Sequence, residues 1–163
     1  MFLRLDETTV DEYRFPIYNP TNNASAVIPY TEDVVIKYPK PGFDNPIASI
    51  HVFDLASYLE YPELLSPAES TAELQWTGRF PLDNSVLSQV TWLDDSTLIV
   101  KEVNRAAYDG NVVLFSFDEQ FQGETTSGVV VRRLGRDGEE ADEGWIDPVS
   151  LLFATQGFIS IRL

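Results

Sequence analysis

The chain has 163 residues, 44% hydrophobic and 12% aromatic, which is apolar surface enough to bury the core of one domain and excludes disorder as a description of the whole. Eleven Lys and Arg stand against 26 Asp and Glu, a net charge of −15, so the summed field repels phosphate backbones and anionic lipid surfaces and excludes nucleic acid as a partner. The absence of Cys excludes a disulfide framework, a thiolate metal site and a cysteine nucleophile.

Short β-rich runs closed by turn residues follow one another along the chain. The first four are Phe2 to Leu5, Glu12 to Tyr18, Asp33 to Lys37 and Ile47 to Leu55. A strand that starts directly at Met1 reads as a chain cut at its front end, and Met1 to Arg14 lacks the basic and apolar regions of a signal peptide. The Pro-rich run Tyr38-Pro39-Lys40-Pro41-Gly42, with Asn45-Pro46 after it, predicts an extended loop crossing before His51. Tyr58 to Ala72 is the one helical or irregular stretch. Pro62 and Pro67 break any long helix there, so it reads as an inserted loop with at most one turn.

Five further strands are predicted at Glu73 to Thr77, Val86 to Leu93, Thr97 to Val103, Asn111 to Phe117 and Gly128 to Leu134, where Val, Ile, Thr, Phe and Trp suit a pleated surface. Asp94-Asp95-Ser96 can hydrogen-bond its own backbone and joins two of them into an antiparallel hairpin. Asp109-Gly110 predicts the next reversal, and with it three meandering strands. Gly135 to Gly144 is polar and acidic and reads as a solvated loop. No apolar run approaches the roughly 18 residues that a membrane-crossing helix needs, so this chain has no membrane segment.

Nine antiparallel strands with short turns and almost no helix predict an all-β fold: sandwich, barrel or propeller blades. Blades use four strands in about 40–50 residues, so the chain holds a little more than two, with long loops, too few to close a ring.

Candidate chemistry is sparse. His51, the only histidine, shares a strand face with Ser49 and Phe53 in Ser49-Ile50-His51-Val52-Phe53-Asp54. A Ser-His-Asp reading exists on paper, but no G-x-S-x-G elbow accompanies it, and His51 reads as a strand histidine. Asp94-Asp95 and Glu139-Glu140 could be paired acids of a glycosidase, but a tight turn and a solvated loop do not preset a carboxyl separation. The Asp137 to Asp147 run lacks the spacing and central Gly of a calcium loop. Phosphate and dinucleotide fingerprints are missing, so no cofactor is implied. Trp76 and Trp92 read as core residues, and Trp145 as a cap on a blade edge. Asn23-Ala24-Ser25 satisfies the N-glycosylation pattern, which makes Asn23 a possible glycan acceptor if the chain enters the secretory pathway.

Several segments together resemble one family. They are Phe2-Leu3-Arg4-Leu5-Asp6-Glu7-Thr8 with Val10 and Phe15-Pro16, then Lys37-Tyr38-Pro39-Lys40-Pro41-Gly42 with Asn45-Pro46, then His51-Val52-Phe53-Asp54-Leu55. Val90-Thr91-Trp92-Leu93, Leu98 to Arg105, Asn111 to Leu114 and Glu143-Gly144-Trp145-Ile146 continue in the same order. In this order they resemble the β-propeller of the dipeptidyl peptidase IV family, and most closely its fungal dipeptidyl aminopeptidases. The Tyr-Pro-Lys-x-Gly-x-x-Asn-Pro element is the distinctive one.

The resemblance implies a partial β-propeller of about two to three antiparallel four-stranded blades over residues 1–148, followed by a divergent tail, 149–163. In complete members an eight-bladed propeller covers an α/β-hydrolase domain, and a Ser-Asp-His triad with an oxyanion hole releases N-terminal X-Pro or X-Ala dipeptides. A W-x-Y-E-E element whose glutamates grip the substrate's amine would lie shortly before residue 1 and does not occur here. Neither the triad nor the anchor of the vacuolar members is in this sequence. The chain therefore carries no catalytic, substrate-binding or metal residue, and is expected to be inactive alone. Its partners would be the missing blades and hydrolase domain, with peptide substrates reached only in the full-length enzyme, at the vacuolar membrane or outside the cell. The other readings are a free-standing acidic all-β module that binds protein or carbohydrate, and a small hydrolase using acidic pairs.

Overall fold

The computed structural model describes residues 1–18, 23, 25, 30, 32–61, 63–117, 126–136, 138–139 and 145–147, and the backbone of 151–155 and 158–162. Eleven strands and one short helix occur among them. In chain order they are β1 (Phe2–Asp6), β2 (Glu12–Ile17), β3 (Glu32–Lys37), β4 (Ile47–Phe53), α1 (Leu55–Glu60), β5 (Thr71–Trp76), β6 (Ser85–Trp92), β7 (Thr97–Asn104), β8 (Asp109–Ser116), β9 (Thr126–Gly135), β10 (Leu151–Thr155) and β11 (Phe158–Arg162).

Seven strands form one sheet in the order β1-β4-β5-β9-β8-β7-β6. β6 to β9 are a consecutive antiparallel meander of four strands, the composition of a propeller blade. β4 and β5 pair antiparallel beside β1, and a short parallel pairing of Leu74–Trp76 with Thr126–Gly128 joins this layer to the meander. One apolar face of each layer enters a common core. Ile50, Val52, Leu74 and Trp76 pack with Leu98, Val100, Val113 and Phe115, and the Trp76 ring meets Phe115 edge to face at 6.0 Å. Gly128 permits this closeness, since a Cβ there would lie 2.6 Å from the Phe115 ring.

Residues 6–47 form a separate unit. Its β2–β3 hairpin sets Tyr13 opposite Ile36 and Phe15 opposite Val34. Lys37 Nζ donates to the Val10 carbonyl at 2.8 Å and closes the hairpin base. The predicted loop crossing contains a tight turn. Phe43 N–H donates to the Lys40 carbonyl at 3.0 Å, with Pro41 in the first central position and Gly42, at φ 85°, in the second. That is the chemistry of a type II turn, in which proline presets one φ and glycine supplies the positive one.

Three local expectations shift. A helix forms earlier than the predicted insertion, because Asp54 caps it: its carboxylate accepts from Ser57 N–H at 3.1 Å and Ser57 Oγ at 2.6 Å. The reversal between β7 and β8 lies at Arg105–Tyr108, not at Asp109-Gly110, which are already in β8. Asn104 organises it, its side-chain oxygen accepting from Tyr108 N–H at 2.9 Å, and Ala107 takes φ 55°. Two strands, β10 and β11, pair antiparallel where the sequence predicts none.

Candidate functional site

β7 is the structural centre of the meander, flanked by β6 and β8. Alternation sends Leu98, Val100 and Glu102 toward the β4–β5 layer, and Ile99, Lys101 and Val103 to the opposite face. Glu102 is fully buried, a position that is strongly unfavourable for a carboxylate unless donors replace its water.

Four groups donate to it. Trp76 Nε1 and Asn111 Nδ2 reach Oε2 at 3.0 and 3.1 Å, and Ser85 Oγ and Phe80 N–H reach Oε1 at 2.6 and 3.2 Å. Arg79 Nε stands 3.9 Å from Oε1. The same guanidinium donates through Nη2 to the Ala48 carbonyl at 2.6 Å and lies 4.6 Å above the Trp76 ring. Burial holds the Arg79 pKa below its usual range, opposed by the negative charges of Glu102 and Glu73. Donors thus converge from β5, from the β5–β6 connection, from β6 and from β8. This arrangement binds one layer to the next and leaves no open side for a substrate, so it is a clasp and not a reaction centre.

On the opposite face, Lys101 is also fully buried, and its Nζ donates to the Asp147 carbonyl at 2.9 Å. Burial lowers its pKa, partly offset by the Asp147 carboxylate. Ile146 N–H donates to the Ala107 carbonyl at 2.7 Å. Ile146 Cδ1 lies where a Cβ on Gly110 or Gly135 would come within 3.1 or 3.0 Å of it. The segment Trp145–Asp147 is thereby strapped across the second face of the meander.

The residues singled out from sequence behave differently. Ser49 Oγ and His51 Nε2 are 2.9 Å apart, and the Phe2 ring stacks on His51 at 5.2 Å and 12°. Asp54, which a triad would require behind the imidazole, spends both oxygens on Ser57 at the start of α1. His51 is thus held between a hydroxyl and a ring. Asp94 accepts from Ser96 N–H at 2.9 Å and Leu93 N–H donates to Thr97, so Asp94-Asp95 shapes the hairpin turn as expected. Glu139 lies beside Arg132 and Arg133 in an open groove of about 320 Å³, and Glu140 lies outside the described residues. So do Asp137, Asp142 and Glu143 of the acidic run. Trp76 is core, whereas Trp92 is 40% exposed and packs beside Phe117, and Trp145 is 62% exposed.

Sequence reasoning missed Arg79, Lys101 and Glu102 as a set. The signal was available: Lys101-Glu102 is a pair of charges inside an otherwise apolar central strand, and a buried charge there must find partners.

The comparisons with known proteins agree with this architecture. Residues 1–160 match the family model described as the dipeptidyl peptidase IV (DPP IV) N-terminal region. A protein of Tuber melanosporum named a dipeptidyl-aminopeptidase B is 29% identical over 150 residues, 90% of this chain and 14% of that protein. A dipeptidyl aminopeptidase of Schizosaccharomyces pombe is 35% identical over 105 residues, 64% of this chain and 12% of its own length. Among solved structures, the dipeptidyl peptidase 4 of Porphyromonas gingivalis superposes with a TM-score of 0.54 at 24% identity, over 74% of this chain and 14% of that one. The chain belongs to the dipeptidyl peptidase IV N-terminal family, and its fold is a partial β-propeller. It spans about one seventh of the length of the curated relatives it matches.

Proposed function

We propose that this chain is a propeller segment of a serine-type dipeptidyl peptidase that releases X-Pro and X-Ala dipeptides from peptide N-termini, and that catalysis belongs to parts of the protein outside these 163 residues. The observation that carries the reading is the pairing of two face-packed antiparallel layers through parallel β5 and β9, together with a family match across residues 1–160. On this reading the segment contributes wall and not chemistry. The Glu102 clasp fixes neighbouring blades, and the rest of the ring and an α/β-hydrolase domain are its partners. Residues 1–148 are the propeller part and 149–163 a divergent tail. The compartment is the vacuolar membrane or the extracellular space.

Reporter hydrolysis tests it. The protein translated from the complete reading frame should cleave a Pro-linked dipeptide reporter and be stopped by a serine-directed inhibitor, while the 163-residue chain should show no turnover. Inhibitor-sensitive cleavage by the short chain alone would overturn the reading.

A further inference from the structure

The connection between β2 and β3, residues 18–31, contains the one N-x-S/T tripeptide of this sequence with a residue other than proline in the middle, Asn23-Ala24-Ser25. Four residues earlier, Asn19-Pro20-Thr21 has the same outer residues, and its central proline removes it from the pattern. Asn23 and Ser25 are both exposed. Ser25 N–H donates to Asn23 Oδ1 at 3.0 Å, an Asx turn that closes the tripeptide on itself at the surface, outside any strand pairing. The acceptor and the hydroxyl residue are thus presented together at the connecting end of the hairpin, the opposite end from the Lys37–Val10 closure.

We propose that Asn23 is an N-glycan acceptor, modified in the lumen of the secretory pathway, an inference that rests on the vacuolar or extracellular destination proposed above. In the transfer, Nδ2 of Asn23 attacks the anomeric carbon of an oligosaccharide carried on a lipid pyrophosphate. The N–C bond forms, the bond from that carbon to the pyrophosphate oxygen breaks, the lipid pyrophosphate departs with the electron pair, and one amide proton is lost. A glycan there keeps the β2–β3 connection in water, so that no other part of the protein packs over it.

The test is the 163-residue chain expressed in a eukaryotic host behind a cleavable secretory leader. The wild type should run as a single shifted species that a peptide N-glycosidase collapses. Asn23→Gln and Ser25→Ala should abolish the shift and Ser25→Thr should keep it. Pro20→Ala makes Asn19 an acceptor and should add a second glycan. An unshifted wild type beside a shifted Pro20→Ala would overturn the inference while leaving the family reading intact. Mass spectrometry of the residue-23 peptide from protein made by its own gene supplies the second measurement: a glycan on that peptide supports the site, and bare Asn23 in protein recovered from the vacuole or medium overturns it.

Discussion

Arg79 Nε and Glu102 Oε1 face each other at 3.9 Å, too far for a hydrogen bond, across the boundary between two layers of the propeller segment. The ion contact is therefore secondary, and the Glu102 carboxylate depends on its neutral donors Trp76, Ser85, Phe80 and Asn111. Arg79 in turn is held by the Ala48 carbonyl and by the Trp76 ring.

Glu102→Ala is expected to be among the most damaging single substitutions in the chain. It leaves three side-chain donors and a buried cation without their acceptor, a loss of about 3–5 kcal/mol for breaking a buried charged network. Urea unfolding followed by Trp fluorescence measures it, and an unchanged midpoint would remove the clasp from the account of stability. Arg79→Met should cost less, and the double variant should fall short of the sum because the two groups share one network.

Gly128→Ala tests the packing of the same seam from its apolar side. Its Cβ would lie 2.6 Å from the Phe115 ring and 2.7 Å from Val113 Cγ1, in a strand that also carries the parallel link to β5. Overpacking of this kind costs about 1–3 kcal/mol. Phe115→Leu in the same chain should recover part of it, whereas a backbone effect of the lost glycine would not respond to the second change. Denaturant midpoints of the two single variants and the double variant separate these outcomes.

How much of this could be read from the residues depends on the range of the interaction. The Trp92–Thr97 hairpin was legible because Asp94 bonds within its own turn, and the type II turn at Lys40–Phe43 sits in a Pro-Gly run that announces it. The helix start at Asp54 was a local signal too, masked by attention to Pro62 and Pro67 downstream. The reversal at Asn104 was misplaced because Asp-Gly is the stronger generic turn signal, while here a side-chain oxygen three residues before the bend governs it. The clasp was not legible. Trp76, Ser85 and Asn111 are separated from Glu102 by 26, 17 and 9 residues, and only the pairing of the strands brings them together.

Acid should weaken the β6–β7 turn in a way that one carboxylate controls. Hydrogen bonding holds the Asp94 pKa below 3.8, first from Ser96 N–H and then from the Thr97 side chain. A folded-state pKa lowered in this way stabilises the fold above the unfolded value and ceases to do so as pH falls through the folded value, because the unfolded chain takes up the proton first. Asp94→Ala removes the effect. The wild type should therefore unfold at higher denaturant than the variant at neutral pH, and the gap should close on acidification below the ordinary carboxylate range. A gap that persists unchanged in acid would assign the effect to turn geometry instead of charge.

Self-association should be governed by β1, an edge strand among the described pairings. Its Phe2 stacks on His51, which places Leu3 and Leu5 on the sheet face that Ile50 and Val52 continue into the core. Ile50 is 1% exposed there, but Leu3 and Leu5 are 50% and 58% exposed. Unpaired backbone groups beside uncovered leucines form a template for another strand, and lysine on an edge is a common natural deterrent. Sedimentation of the 163-residue chain should show concentration-dependent association, and Leu3→Lys with Leu5→Lys should return it toward monomer without lowering the denaturant midpoint, since neither side chain is buried. A wild-type chain that stays monomeric at every concentration would mean that the uncovered edge does not recruit a partner strand.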